Sequence, residues 1–402
     1  MRLRFLMGLL ATVMCGSLAG APAGAAPGVP AEYADLYAVL ERQLRSIDRH
    51  VLSHGQVAPH SGLFSTELLP ANANIGERLL RPEAWQAVTL NLDRFELLGV
   101  RAVKVAVKYP VLVPGFPRSA EYLEFYRRLG QELRRRNIKM LAQMTNGFRE
   151  PAFSQLPVES YYAGLTWDRF KREKRQQAEA IIREVRPDFL TVENEPGTQQ
   201  ANTGLTFTPR SMAELVQFVL DGLDRQTTLV GAGAGTWDDP AYMQALARTP
   251  VDYLDMHVYP ITRDFVVDRA FRIADVARRA NKKLFLGEAW LYKAADRDLG
   301  GAPVAAAPAL FARDVYGFWE PLDVEFLQVM ARLSRALRIE FTNYFWSRYF
   351  FGYVEYGAAT RGLPPAELFR LANRAAAANM TATPPRVTRT GEAFQRLNRG
   401  TF

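Results

Sequence analysis

The stretch TVENEPG, Thr191 to Gly197, places two carboxylates and an amide at the end of an apolar run and stops them against a Pro-Gly turn. A further acid, Glu288, closes the apolar run of KLFLGEAW (283–290) in the same way. Polar groups at such positions cost desolvation unless they are paired or used. Other runs end alike. VDYLDMHVYP (251–260) carries Asp255, His257 and Tyr259, and IEFTNYFW (339–346) carries Asn343, Tyr344 and Trp346. TTLVGAGAG (227–235) leads into Trp237, Asp238 and Asp239. VKVAVKYP (103–110) offers Lys108, and KMLAQMTNG (139–147) offers Asn146, with Arg149 nearby. Paired carboxylates are what cleavage of a glycosidic bond requires: one protonates the leaving oxygen, and the other attacks the anomeric carbon or activates water. Tryptophans add apolar faces on which sugar rings stack.

For that chemistry, the runs must be strands whose ends meet. From about residue 85 onward each run follows a helix with 3.6-residue periodicity. Tyr122, Phe125, Tyr126, Leu129 and Leu133 share one face, as do Ala178, Ile181, Ile182 and Val185. Leu215, Phe218, Val219 and Leu223 form another stripe, and Val267, Ala270, Phe271, Ala274 and Ala277 a fourth. Such stripes bury against a sheet. Seven strands alternating with helices predict a parallel sheet. An eighth, first strand belongs between His50 and Leu69, where either HVLSH or LFSTELL serves. Eight units in a chain of this size predict a single α/β domain, a (β/α)8 TIM barrel over residues 26–402. Gly352 to Thr383 reads as a loop after the last strand, and GEAFQRLN (391–398) as the closing helix. The active site of such a barrel lies at the C-terminal strand ends. Strands four and seven are three places apart around eight, so Glu195 and Glu288 face each other across the mouth.

The ordered set Asn194-Glu195-Pro196, His257-Val258-Tyr259 and Gly287-Glu288-Ala289-Trp290, with Trp346 after the last strand, resembles the large clan of retaining (β/α)8 glycoside hydrolases. That clan, cellulase-, mannanase- and galactanase-like, has its catalytic glutamates after strands four and seven. The resemblance covers most of the barrel in order and spacing. It implies Glu195 as acid/base, Glu288 as nucleophile, Asn194 on a sugar 2-hydroxyl, Tyr259 orienting the nucleophile, and Trp346 as sugar platform. It implies an enzyme acting on a β-linked oligo- or polysaccharide by double displacement, with transglycosylation as a variant and no cofactor. By physical argument, burial and the charge of Glu288 should raise the pKa of Glu195, and Tyr259 and His257 should donate to Glu288.

Several residues carry a second reading. On spacing alone Glu193 serves as the acid as well as Glu195; only the resemblance selects Glu195, leaving Glu193 as a structural partner for a basic residue. His257 is a site residue or a satisfied barrel-core histidine. Trp290 and Trp237 stack on sugar or pack under loops. Asn146 and Lys108 are substrate contacts at the early strands, where the clan has an arginine and this chain shows no clear equivalent. His50 and His54 have i, i+4 spacing, but without a third ligand they make no metal site. Asp238-Asp239 reads as a turn and helix cap. A non-catalytic carbohydrate-binding barrel would keep the tryptophans and lose the acids. A phosphate-handling barrel would carry glycine-rich loops where this chain has GEAWLYK and FWSRYF.

MRLRFLMGLLATVMCGSLAGAPAGAAPG opens the chain with two arginines, an apolar run and small residues. This is the layout of a signal peptide over residues 1–25, with Ala23-Gly24-Ala25 as cleavage signal. It predicts a secreted, periplasmic or cell-envelope protein. The run is too short and too interrupted by glycine for a membrane span. Cys15, the single cysteine, lies within the leader, so no disulfide is expected beyond it. The formal charge of +8 comes from an arginine-rich surface and is read as solvation. The basic cluster RRRNIK (134–139) ends a helix, where cations suit the dipole. No motif favours nucleic acid, the expected partner is a carbohydrate substrate, and the sequence sets no oligomeric state.

Overall fold

The computed structural model describes residues 28–54, 62–299 and 308–401. The expected leader, with Cys15 and its cleavage signal, lies outside the described residues. Eight strands form one closed parallel barrel in chain order: β1 Leu63–Glu67, β2 Ala102–Ala106, β3 Lys139–Gln143, β4 Phe189–Thr191, β5 Leu229–Gly235, β6 Tyr253–Val258, β7 Lys283–Ala289 and β8 Phe341–Tyr344. β1 pairs with β8 and closes the ring. The first strand is thus LFSTE; HVLSH ends the helix Ala34–Ser53 instead.

Alternate residues of a barrel strand point inward. The lowest inward layer is apolar: Ala102, Leu141, Tyr253, Phe285 and Phe341, with Leu63, Phe189 and Leu229 packed against them. Tyr253 and Phe285 stack at 3.9 Å between ring centroids. Two residues further along the same strands the interior turns polar, with Ser65, Lys104, Gln143, Thr191, Asp255 and Asn343 all buried. The barrel therefore has an aromatic floor and a polar storey above it. The glycines of β5 make room for this filling. A Cβ on Gly231 would lie 2.2 Å from the Tyr253 ring, and one on Gly233 would lie 1.5 Å from the Asp255 carbonyl oxygen.

The helices bury the faces their periodicity requires. Tyr122, Phe125, Tyr126, Leu129 and Leu133 are buried on Ser119–Arg135. In the helix Pro209–Leu220 the buried stripe is Met212, Leu215, Val216, Val219 and Leu220, with Phe218 partly covered and Leu223 past the helix end. Between β6 and β7 the buried positions are Val266, Val267, Ala270, Ile273 and Ala277, leaving Phe271 and Ala274 half-buried. The segment Gly352–Thr383 is not all loop: Pro365–Thr381 is a helix burying Leu368, Ala372, Ala376 and Met380. Pro365 at its first position and an apolar residue every fourth place are ordinary helix signals, hidden by its alanine-rich composition. The closing helix is Arg389–Asn398, capped by the Thr388 hydroxyl, which accepts from Gly391 N–H.

Candidate active site

After β4 the chain stays extended, with Val192 N–H donating to Gly231 O and Gly233 N–H donating to Glu193 O, both at 2.9 Å. Glu193 turns toward the outer helices and pairs with Lys174 at 3.1 Å, both side chains fully buried. It is a structural partner for a base. Glu195 then adopts φ 52°, ψ 67°, and the helix Pro196–Thr203 starts immediately after it. That left-handed conformation costs a non-glycine residue about 1–2 kcal/mol. Asn194 holds the bend: its Oδ1 accepts Glu195 N–H at 2.7 Å and its Nδ2 donates to Asp255 O at 3.0 Å. Asn194, expected to meet a sugar hydroxyl, thus commits its buried amide to the backbone. Strain fixed by a buried amide is strain used to aim the next side chain.

Glu288 reaches the same mouth by a different device. Phe285 faces the barrel interior, so strict alternation would send Gly287 inward and Glu288 out. The β6–β7 register instead shifts by one residue, pairing Met256 with Leu286 but His257 with Glu288. Gly287 absorbs the bulge; its N–H donates to Asp255 Oδ1 at 2.8 Å, and a Cβ there would lie 2.2 Å from that oxygen. Bulges re-aim side chains in this way. His257 and Glu288 consequently lie side by side.

The carboxylates converge. One oxygen of Glu195, one of Glu288 and a ring nitrogen of His257 all lie within 4.8 Å of one another. Both glutamates keep some solvent access, 16% and 13% of their side-chain surface. Tyr259 Oη donates to Glu288 Oε1, as expected. The other Glu288 donor is Lys104, whose Nζ lies 2.6 Å from Oε2. His257 does not serve Glu288; its Nδ1 sits 2.5 Å from Glu195 Oε1. On its other side Gln143 Nε2 lies 3.0 Å from His257 Nε2, while Gln143 Oε1 accepts from Lys104 at 3.3 Å. With the amide turned by Lys104, Gln143 donates to Nε2 of the neutral ring, and Nδ1–H of that form is left to donate to Glu195.

The electrostatics correct one expectation. Burial pushes Glu195 up, but the charge and hydrogen bond of His257 outweigh it, and the carboxyl ends below its usual value. Burial likewise disfavours the His257 cation, yet the attraction of Glu195 leaves its pKa raised. The two titrate as a unit. Nearby, Asp238 is pushed up to about 7, chiefly by burial. Its Oδ2 accepts Gly235 N–H and Asp239 Oδ1 accepts Ala241 N–H, each at 2.8 Å, which is the turn-and-cap role.

Glu195, His257 and Glu288 are also close enough together to hold a metal ion. Their contacting atoms already carry His257, Tyr259 and Lys104 as hydrogen-bond partners, and Lys104 supplies a positive charge where an ion would. His50 and His54 stand apart at the end of Ala34–Ser53, packed on Phe271.

Trp237 lies half-buried and stacks on Tyr259 at 5.3 Å, beside the carboxylate pair. Trp346 is also partly open; the Arg348 guanidinium sits 4.5 Å from its ring centroid. Trp290 is fully buried, stacked on Tyr349 at 5.6 Å with Phe326 at its edge. Its ring packs under the loops, so the expected sugar contact is corrected. Asn146 is buried just beyond β3, and both its amide atoms lack a hydrogen-bond partner among the described residues. Lys108 donates to Thr145 Oγ1 at 2.5 Å, and burial together with the Lys104 charge lowers its pKa.

Sequence reading missed Lys104, Glu67 and Gln143. Lys104 stands on β2, early in the barrel where an arginine was sought, two inward positions below Lys108. A signal existed: Ala102, Lys104 and Ala106 alternate on one face, and a lysine at an inward barrel position must be paired.

No family model matches the chain, and no curated protein sequence matches it. Solved structures share its fold. GH5_18 from Bifidobacterium longum subsp. longum superposes with a TM-score of 0.56 at 14% identity, over 85% of this chain and 79% of that one. A variant of that protein in complex with Manβ1-4GlcNAc gives 0.53 at 12% identity, over 84% and 78%. The exo-β-1,4-mannosidase Op5Man5 from Opitutaceae bacterium strain TAV5 gives 0.52 at 14% identity, over 86% of this chain and 62% of that one. At such identities the likeness is one of fold.

Proposed function

We propose that this protein is a retaining β-glycoside hydrolase, with Glu288 as nucleophile and Glu195 as acid/base. The observation that carries the reading is the approach of the two carboxylates to within 4.8 Å at a solvent-accessible mouth. Inverting pairs stand about 6.5–9.5 Å apart to admit a water between them, and retaining pairs about 5–5.5 Å. Each carboxylate also has the partner its role requires. Glu288 accepts from Tyr259 and Lys104, donors that hold the ionised form in place. Glu195 lies 2.5 Å from His257 Nδ1, and the proton this pair takes up beyond that of the neutral ring is the one delivered to the leaving oxygen and recovered from water.

In the first step a Glu288 oxygen bonds to the anomeric carbon while the glycosidic bond breaks, its electron pair leaving on the oxygen that Glu195 protonates. In the second, Glu195 takes a proton from water, the water oxygen attacks the same carbon, and Glu288 leaves as carboxylate. In this reading the amide of Asn146 would meet sugar hydroxyls, and Trp237 and Trp346 would stack on sugar ring faces. Two of the fold neighbours, by name a mannosidase and a complex with Manβ1-4GlcNAc, support β-mannosides as the first substrates to try. The leader supports action outside the cytoplasm.

Incubation with 2-fluoro β-mannosides and β-glucosides, followed by peptide mapping, should label Glu288. Glu288→Ala should abolish turnover of the matching aryl glycosides. A label elsewhere, or an unchanged rate, overturns the assignment.

A further inference from the structure

One ammonium serves two carboxylates beneath the mouth. Lys104, fully buried, lies 2.6 Å from Glu288 Oε2 and 2.9 Å from Glu67 Oε2. The contact with Glu67 is an ion pair between two fully buried side chains. The second Glu67 oxygen accepts from Asn72 Nδ2 at 3.1 Å. Phe345 covers the ammonium, its ring centroid 5.0 Å away. The next cation, Lys108, pairs with no carboxylate among the described residues. With both glutamates ionised, the trio at contact range therefore carries two negative charges against one positive, and Lys104 and Glu67 are shielded from water. Burying an unbalanced charge is expensive, and one glutamate would have satisfied the lysine. Glu67 has no part in a reaction that needs one nucleophile and one acid.

The balance changes when Glu288 is esterified. The ester is neutral, and Lys104 with Glu67 then forms a matched pair. We propose that Glu67 and Lys104 are positioning residues matched to the glycosyl-enzyme rather than to the resting protein. The inference rests on Glu288 being the nucleophile. Lys104 stabilises the electron pair that returns to Glu288 when its bond to the anomeric carbon breaks. Glu67 keeps Lys104 from standing alone while that bond exists.

Two measurements on the full chain test this. The first needs no turnover. Glu288→Gln imitates the uncharged ester, so Glu288→Gln and Glu67→Gln should each hold or raise the urea unfolding midpoint. The double variant, with Lys104 unpaired, should fall below wild type. A double variant as stable as the singles overturns the charge balance. The second uses 2,4-dinitrophenyl β-glycosides of the sugar that labels Glu288. Lys104→Met should slow breakdown of the intermediate, lowering kcat and KM together by at least tenfold with a full burst. Glu67→Gln should slow its formation, lowering kcat/KM by at least tenfold with the burst lost. Lys104→Arg, which keeps the charge, should restore most of kcat. If both variants scale kcat and kcat/KM alike, the two residues are merely structural and the proposal fails. If wild type cleaves no aryl glycoside, the reading of Glu288 fails, while the stability cycle still decides the charge balance.

Discussion

At the scale of single residues, the site is governed by who neutralises whom. Glu288 has Lys104 and Glu195 has His257, so the two carboxylates approach without a shared proton between them. The pair Glu195–His257 holds its last proton on a histidine whose value is raised, after burial is offset by Glu195, Glu288 and Asp255. Loss of that proton should set the alkaline limb of kcat/KM above the usual histidine value of about 6.5. In His257→Gln the acid is a lone buried carboxyl starting near 4.5. The alkaline limb should then move to lower pH, which a pH–rate profile on an aryl glycoside checks; an unmoved limb would place the working proton elsewhere. The stability signs differ. His257 contributes fully below its ordinary value and loses the contribution as pH rises through its raised one. Glu195 contributes above its ordinary value and loses it as pH falls through its lowered one. Thermal unfolding of wild type against His257→Gln should therefore differ most between those limits. Glu195 and Glu288 were legible as acids at apolar strand ends, and Asn146 as an amide there. Lys104 was not, because one lysine inside VKVAVKYP looks like half of an ordinary amphipathic alternation.

At the scale of elements, two backbone devices aim the carboxylates: the left-handed turn at Glu195 and the bulge at Gly287. Neither is visible in residue types. A pattern of alternation predicts which face a strand buries, yet the bulge reverses the assignment for one residue, the one with the chemistry. The glycines of β5 are the complementary case, read in the sequence only as part of a strand. They are spaces for Tyr253 and Asp255. Gly233→Ala should therefore cost more than the ~1–3 kcal/mol typical of overpacking, because the obstacle at 1.5 Å is backbone and has no rotamer to adopt. Gly357→Ala, with nothing within 4 Å of the added carbon, should stay within about 0.5 kcal/mol of wild type. Urea unfolding of both variants checks the contrast; equal midpoints would mean that β5 yields where the geometry says it cannot. The helix Pro365–Thr381 was overlooked for a simpler reason: a stripe of alanines buries little area per residue, so its periodicity carries little contrast.

At the scale of the whole molecule, eight strands close the barrel, but the ring around it includes an element from before the first strand. The helix Ala34–Ser53 lies on the helix Glu320–Leu337 and on the turn Phe265–Ala270. Leu40, Leu44, Ile47 and Val51 are buried along its inner face, and Asp48 pairs with Arg332 at 2.6 Å. Glu320–Leu337 leads directly into β8, and β8 pairs with β1 to close the ring. Cover lost from that helix thus weakens the seam of the barrel itself. Periodicity alone could not assign the N-terminal helix to this place, since an apolar stripe states that a face is buried and not which surface receives it. Leu44→Ala should cost about 2–5 kcal/mol, the range for a large-to-small change at a fully buried site. Because the helix packs on the seam, the whole cost should appear as a shift of a single cooperative transition, followed by far-ultraviolet circular dichroism and tryptophan fluorescence together. An early partial transition with the main midpoint unmoved would instead make the helix a separable appendage, and the barrel would then owe its closure to its own strands and following helices alone.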